Sequence, residues 1–125
     1  MPAISVLLPF RNAAATLDAA IASIAAQSFG QWELLLIDNA STDAGTAIAE
    51  QWARRDRRIH VVREANVGIA HALNTGLARA QGRYIARMDA DDISHPERLA
   101  KQFGYMEAHP EIGVLGTRTH FATTV

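Results

Sequence analysis

A chain of 125 residues with a formal net charge of -1, 49% apolar and 20% charged residues reads as one soluble globular domain with no bulk attraction for nucleic acid. Cysteine is absent, which removes disulfides, thiolate metal sites and cysteine nucleophiles together, so any chemistry must rest on oxygen and nitrogen groups. No run approaches the roughly 18 apolar residues of a membrane span, and the N-terminus enters a strand pattern with no charged leader, so a cytoplasmic location is expected.

In chain order, residues 4–8 form a β-branched and apolar run ended by Pro9, which predicts a strand. Leu17, Ile21 and Ile24 then recur at helical spacing within 16–27, with Thr16 as the expected N-cap and Gly30 beyond the end. Residues 34–37 are an almost continuous apolar run, the mark of a strand covered on both faces. Ser41 and Thr42 are expected to cap a helix over 43–55; residues 59–63 predict a third strand and 67–80 a third helix. A fourth strand over 83–88, a fourth helix over 96–108 with Ser94 as N-cap, and a fifth strand over 112–115 complete the alternation. That order predicts an α/β fold: an open, mostly parallel sheet with helices on both faces. The strand-like stretch from Thr117 to Val125 reads as a chain cut short, whose open edge would join a homodimer through Thr117 to Thr124.

Ligands in open α/β sheets bind outside the carboxyl ends of the strands, and three polar clusters fall there. They are Pro9-Phe10-Arg11-Asn12, Asp38-Asn39-Ala40-Ser41-Thr42-Asp43 and Asp89-Ala90-Asp91-Asp92. The third is the most informative, because carboxylates that close repel one another unless a cation sits among them. Oxygen ligands without Cys or clustered His favour Mg2+ or Mn2+, with phosphate oxygens completing the shell; the plainer alternative is an acidic turn leading into the next helix. Asp38, at the mouth of a buried strand, can accept from the imide N–H of uracil or thymine, or simply close an Asx turn. Arg11 can stack on a base or pair with a diphosphate, or serve as a surface ion-pair partner. Gly68 and Gly76 each weaken a helix by up to ~1 kcal/mol relative to Ala, which calls for a packing or ligand-approach reason, and Gly68 near the helix start would let backbone approach a ligand. His71 lacks a neighbouring partner that would define a catalytic role. There is no Gly-x-Gly-x-x-Gly after the first strand, no Walker Gly-Lys-Ser/Thr and no Gly-x-Ser-x-Gly elbow.

Pro9-Phe10-Arg11-Asn12, Gln27-Ser28-Phe29 with Trp32-Glu33-Leu34, Asp38 to Asp43, Asn66-x-Gly68 with Asn74-x-Gly76, Asp89-Ala90-Asp91-Asp92 and Pro96-Glu97-Arg98-Leu99 resemble, in order and spacing, the family 2 glycosyltransferases of the GT-A fold. The resemblance covers residues 3 to 116 and implies the donor-binding half of an inverting enzyme. Such an enzyme moves a sugar from a nucleotide-diphosphate donor, here of UDP or dTDP type, to a glycan, lipid-linked or other hydroxyl acceptor with Mn2+ or Mg2+. By similarity, Asp38 recognises the base, Pro9 and Arg11 line its pocket with Phe10, Asp89 and Ala90 lie near the donor ribose or sugar, and Asp91 with Asp89 holds the metal. The family's carboxylate base is expected beyond Val125, and Glu107 and Glu111 read as surface residues. Two departures, Arg11 where an aromatic is common and Asn39 in place of a frequent second Asp, bear on base identity. A non-catalytic nucleotide-sugar-binding module is the alternative. In a longer protein the resemblance extends the location to the inner face of a membrane.

Overall fold

The computed structural model of the chain describes residues 1–116. Four strands and four helices alternate: β1 Ile4–Phe10, α1 Leu17–Ala25, β2 Trp32–Asp38, α2 Gly45–Arg55, β3 Ile59–Arg63, α3 Ile69–Arg79, β4 Tyr84–Arg87 and α4 Arg98–Ala108. All strand pairs are parallel and the order is β3-β2-β1-β4, so β1 and β2 are central and the other two are edges.

The two continuous apolar runs became the two central strands, as double-sided burial requires. Because strand side chains alternate between faces, β1 and β2 feed two cores. Ile4, Val6, Leu8, Phe10, Trp32, Leu34 and Leu36 pack against α1, α2 and Leu99 of α4, while Leu7, Leu35 and Ile37 meet Ala72 and Leu73 of α3. Burial of one such aliphatic side chain contributes about 1.5–3 kcal/mol. Gly76 lets α3 lie close against the sheet: a Cβ there would stand 3.0 Å from Ile37 Cδ1 and 3.2 Å from Leu7 Cδ2. The packing reason sought for Gly76 is therefore that approach.

Two polar residues interrupt the central strands, and they satisfy each other. The Ser5 hydroxyl donates to Glu33 Oε2 at 2.5 Å, the Gln81 N–H donates to the same oxygen at 2.7 Å, and the Gly82 N–H donates to Ser5 Oγ at 2.7 Å. The network closes the amino end of the sheet, opposite the polar clusters.

Several expected boundaries moved. Residues 112–115 form no strand: Val114 is 91% exposed, and the segment lines a groove of about 530 Å³ beside Tyr84, Ile85 and Phe103 without pairing to β4. A strand exists only through its ladder, and four residues containing a glycine have little to hold them extended without one. Thr16 holds the N-cap position of α1 as expected, though without a side-chain cap bond. The other two capping expectations failed: α2 begins at Gly45 with Asp43 accepting its N–H, and α4 begins at Arg98 rather than beside Ser94. Ser41, Thr42 and Ser94 have other partners, described below. The dimer contact expected over Thr117 to Thr124 lies outside the described residues.

Candidate functional site

The carboxyl ends of the strands carry the polar loops. The register sets Phe10 beside Asp38 and Asp38 beside Arg63, while the Met88 N–H donates to the Leu7 carbonyl at 3.0 Å. Asp38 and the Asp89–Asp92 loop therefore leave the same end of the sheet from strands on either side of β1, separated by two strand spacings, roughly 10 Å.

On the β2 side the loop is closed by its own side chains. Asp38 is 5% exposed; its Oδ1 accepts from the Ser41 N–H, three residues on, at 3.0 Å, and its Oδ2 accepts from the Thr46 hydroxyl at 2.5 Å. Asn39 is equally buried and uses both ends of its amide: Nδ2 donates to the carbonyls of Glu64 (3.0 Å) and Asn66 (2.8 Å), and Oδ1 accepts from the Gly68 N–H at 2.9 Å. Asn12, in the left-handed region at φ 52°, accepts from the Thr42 N–H at 2.7 Å and from its hydroxyl at 3.2 Å. Asp43 accepts from the N–H groups of Ala14 (3.0 Å) and Gly45 (2.9 Å). The loops after β1, β2 and β3 thus form one hydrogen-bonded unit. Gly68 enters it with φ 140° and ψ 141°, a conformation essentially reserved for glycine, which explains its presence at the start of α3.

Of the other expected pocket residues, Pro9 is half-buried and Arg11 is exposed at the end of β1 with no partner among the described residues. Phe10 packs in the core beneath Gly45, leaving only its backbone on the cleft side, where its carbonyl accepts from the Asn39 N–H at 2.9 Å. His71 is exposed on α3. Its charge, with the Thr75 hydroxyl and the Asn66 N–H as the larger causes, holds the Glu64 carboxyl below its ordinary value.

On the β4 side the arrangement is different. Ala90 packs against the core while Asp89, Asp91 and Asp92 are exposed, and one oxygen from each lies within 4.8 Å of the others. No ion pair engages any of the three among the described residues. An octahedral Mg2+ or Mn2+ with bonds of about 2.1 Å places its ligand oxygens about 3–4 Å apart, so these hard donors fit such an ion with little movement. Around the loop stand residues the site reading passed over. The Gln27 amide donates to the His95 carbonyl at 2.7 Å and accepts from the Leu99 N–H at 3.0 Å, the Ser94 N–H donates to Ser23 Oγ at 3.0 Å, and Arg98 reaches back to Arg87 and Ser94. The available signal was the presence of Gln27 and Arg98 inside the resembling motifs.

The glycosyl transferase family 2 model matches residues 5–124. The chain belongs to that family. It is similar to EpsE of Bacillus subtilis (strain 168), itself named as a glycosyltransferase, at 43% identity over 118 residues, covering 93% of this chain and 42% of the relative. Among solved structures it is similar to the mannosyltransferase PcManGT from Pyrobaculum calidifontis in complex with GDP-Man and Mn2+. There the identity is 30% and the TM-score 0.82, over 90% of this chain and 34% of that one. It is also similar to glucosyl-3-phosphoglycerate synthase from Mycobacterium tuberculosis in complex with Mn2+, UDP and glucosyl-3-phosphoglycerate, at 28% identity and TM-score 0.70, over 84% and 39%. The fold of this family 2 glycosyltransferase chain is GT-A. The chain spans about two-fifths of the length of the curated relative, and no helix among the described residues is long and apolar enough to cross a membrane.

Proposed function

We propose that the chain is the donor-binding region of an inverting glycosyltransferase that uses a nucleoside-diphosphate sugar, of uridine or thymidine type, with a divalent metal. The observation that carries this is the pairing at one end of the sheet: a buried, pre-oriented Asp38 on one side of β1 and, on the other, three clustered carboxylates with no ion pair among the described residues.

Each residue then has a role. Both Asp38 oxygens already hold one hydrogen bond, yet a carboxylate has about four lone-pair sites, so it can still accept from the base N–H in a fixed direction. Arg11, exposed and unpaired, lies against the base or the diphosphate, and Pro9, the Phe10 backbone and Gly68 form the wall. Asp91 and Asp89 would hold Mn2+ or Mg2+, with Ala90 turning them outward. When bound, the metal supplies Lewis-acid stabilisation of the negative charge that develops on the leaving diphosphate. In the transfer the acceptor hydroxyl oxygen bonds to the anomeric carbon, the bond to the diphosphate breaks, and its electron pair leaves with the diphosphate. The hydroxyl proton passes to a carboxylate acting as general base. The Mn2+ in the two similar structures, one with GDP-Man and the other with UDP, supports the metal and the nucleoside-diphosphate parts of this reading and leaves the base open.

Guanine also presents N–H donors, so the base is decided by titration. Calorimetry with UDP, dTDP and GDP, each with Mn2+ or with a chelator, is expected to show tightest binding of a pyrimidine diphosphate with Mn2+. Asp38→Ala is expected to weaken it by about 1.5–3 kcal/mol. Equal affinity with Mn2+ and chelator would remove the metal from the reading, and an unaltered Asp38→Ala would leave Asp38 a turn residue. Donor binding without sugar transfer, in a protein of its relatives' full length, would make it a sugar-nucleotide-binding module.

A further inference from the structure

Arg98 opens α4, and its guanidinium points back towards the sheet. Nη2 donates to the Arg87 carbonyl at 2.9 Å, Nη1 to Ser94 Oγ at 3.1 Å, and Nε to Gln102 Oε1 at 3.2 Å. Arg87 is the last residue of β4, and Ser94 lies just past the acidic stretch, so one planar group ties together both ends of the loop carrying Asp89, Asp91 and Asp92. The far end is secured independently: Ser94 through Ser23, His95 and Leu99 through Gln27, and the Pro96 carbonyl through the Ser28 N–H at 2.9 Å.

None of these bonds uses an oxygen of the three carboxylates. Burial pulls the Arg98 guanidinium below its ordinary value and the Asp92 charge opposes this, yet the two side chains form no ion pair. A partly buried arginine that faces an acidic cluster, and bonds a backbone carbonyl and a serine instead, shapes the loop without occupying it. Its rigid fork spans two acceptors that a lysine ammonium, a point charge on a flexible stem, cannot hold in one geometry.

We propose that Arg98 is a positioning residue for the divalent-metal site: it sets the distance between the ends of the loop and so presents Asp89 and Asp91 together to the ion. The proposal rests on the metal reading of that loop; groups bonded directly to metal ligands change metal affinity by about 10–100-fold when removed, and Arg98, which acts on the loop's ends, is expected at the low end of that range.

The test is nucleotide calorimetry on the parent, Arg98→Lys and Ser94→Ala, each with Mn2+ and with a chelator, alongside electron paramagnetic resonance counting of bound Mn2+. Thermal unfolding of each protein reports its folding. Arg98→Lys is expected to keep the chelator-condition affinity for UDP and to lose about tenfold of the Mn2+-dependent part. Ser94→Ala, which removes one arm of the fork, is expected to shift the same quantity in the same direction by less. Full Mn2+ enhancement in Arg98→Lys would show that charge alone suffices and would overturn the proposal. So would an equal loss of affinity with and without Mn2+, which would make Arg98 a donor contact or a support of the fold. A parent showing no Mn2+ enhancement would overturn the metal reading itself, and this proposal with it.

Discussion

On the β2 side of the cleft, Asp38 and Asp43 each accept two hydrogen bonds from nearby groups and Asn39 makes three, whereas on the β4 side Asp89, Asp91 and Asp92 stand exposed with no ion pair among the described residues. The first cluster has its order before any ligand arrives, which lowers the entropy lost on binding. The second concentrates like charge, which a bound cation would relieve under the proposed metal reading. Substitutions on the two sides should therefore separate: those on the β2 side lower stability, Asp38 costing nucleotide affinity as well, while those on the β4 side change the metal response alone.

The largest stability effect is expected at Asn39, because Asn39→Ala removes a buried side chain that bonds the Glu64 and Asn66 carbonyls and the Gly68 N–H. A loss of roughly 2–4 kcal/mol in denaturant unfolding is expected; a loss under about 1 kcal/mol would mean that the loops after β2 and β3 hold together without it. Gly68→Ala follows, at about 1–3 kcal/mol, from forcing a Cβ into φ 140°. A neutral result would show that this loop rearranges freely and is not pre-ordered.

On the β4 side, Asp91→Asn is expected to leave unfolding stability within about 0.5 kcal/mol of the parent in metal-free buffer. The same variant is expected to lose the Mn2+ enhancement of nucleotide binding. Marked destabilisation without metal would break the contrast.

The smallest effect concerns Glu64, whose folded carboxyl is held below its ordinary value of 4.5 by the Thr75 hydroxyl, then the Asn66 N–H and the His71 charge. A depressed folded pKa contributes stability that is present above the unfolded value and lost as pH falls through the folded one. Glu64→Gln should accordingly flatten the fall in stability below pH 4.5, and identical acid limbs for parent and variant would show that the carboxylate does nothing for the loop.

Much of this was legible in the residues. Continuous apolar runs marked the central strands, and the strand–helix alternation implied a parallel sheet with polar clusters at its carboxyl end, at Pro9, Asp38 and Asp89. Helix starts were read less well. Ser94 looks like a cap in isolation, but its hydroxyl accepts from Arg98 and donates to Met88 Sδ, and its N–H goes to Ser23. Ser41 and Thr42 precede a helix but bond Asn12 instead. Local propensity cannot see partners that far along the chain.

The sequence by itself determined which segments are buried on both faces and which carboxylates crowd together, because periodicity and local charge are properties of neighbours. Only the tertiary structure decided that Asp38 is already hydrogen-bonded while Asp91 is exposed with no ion pair among the described residues, that Phe10 lies in the core, and that Asn39, Gln27 and Arg98 hold the loops. Their partners range from 4 to 72 residues away. Hydrogen-bond satisfaction is set by which groups the fold brings within about 3 Å, and most of those contacts exist only once the sheet has assembled.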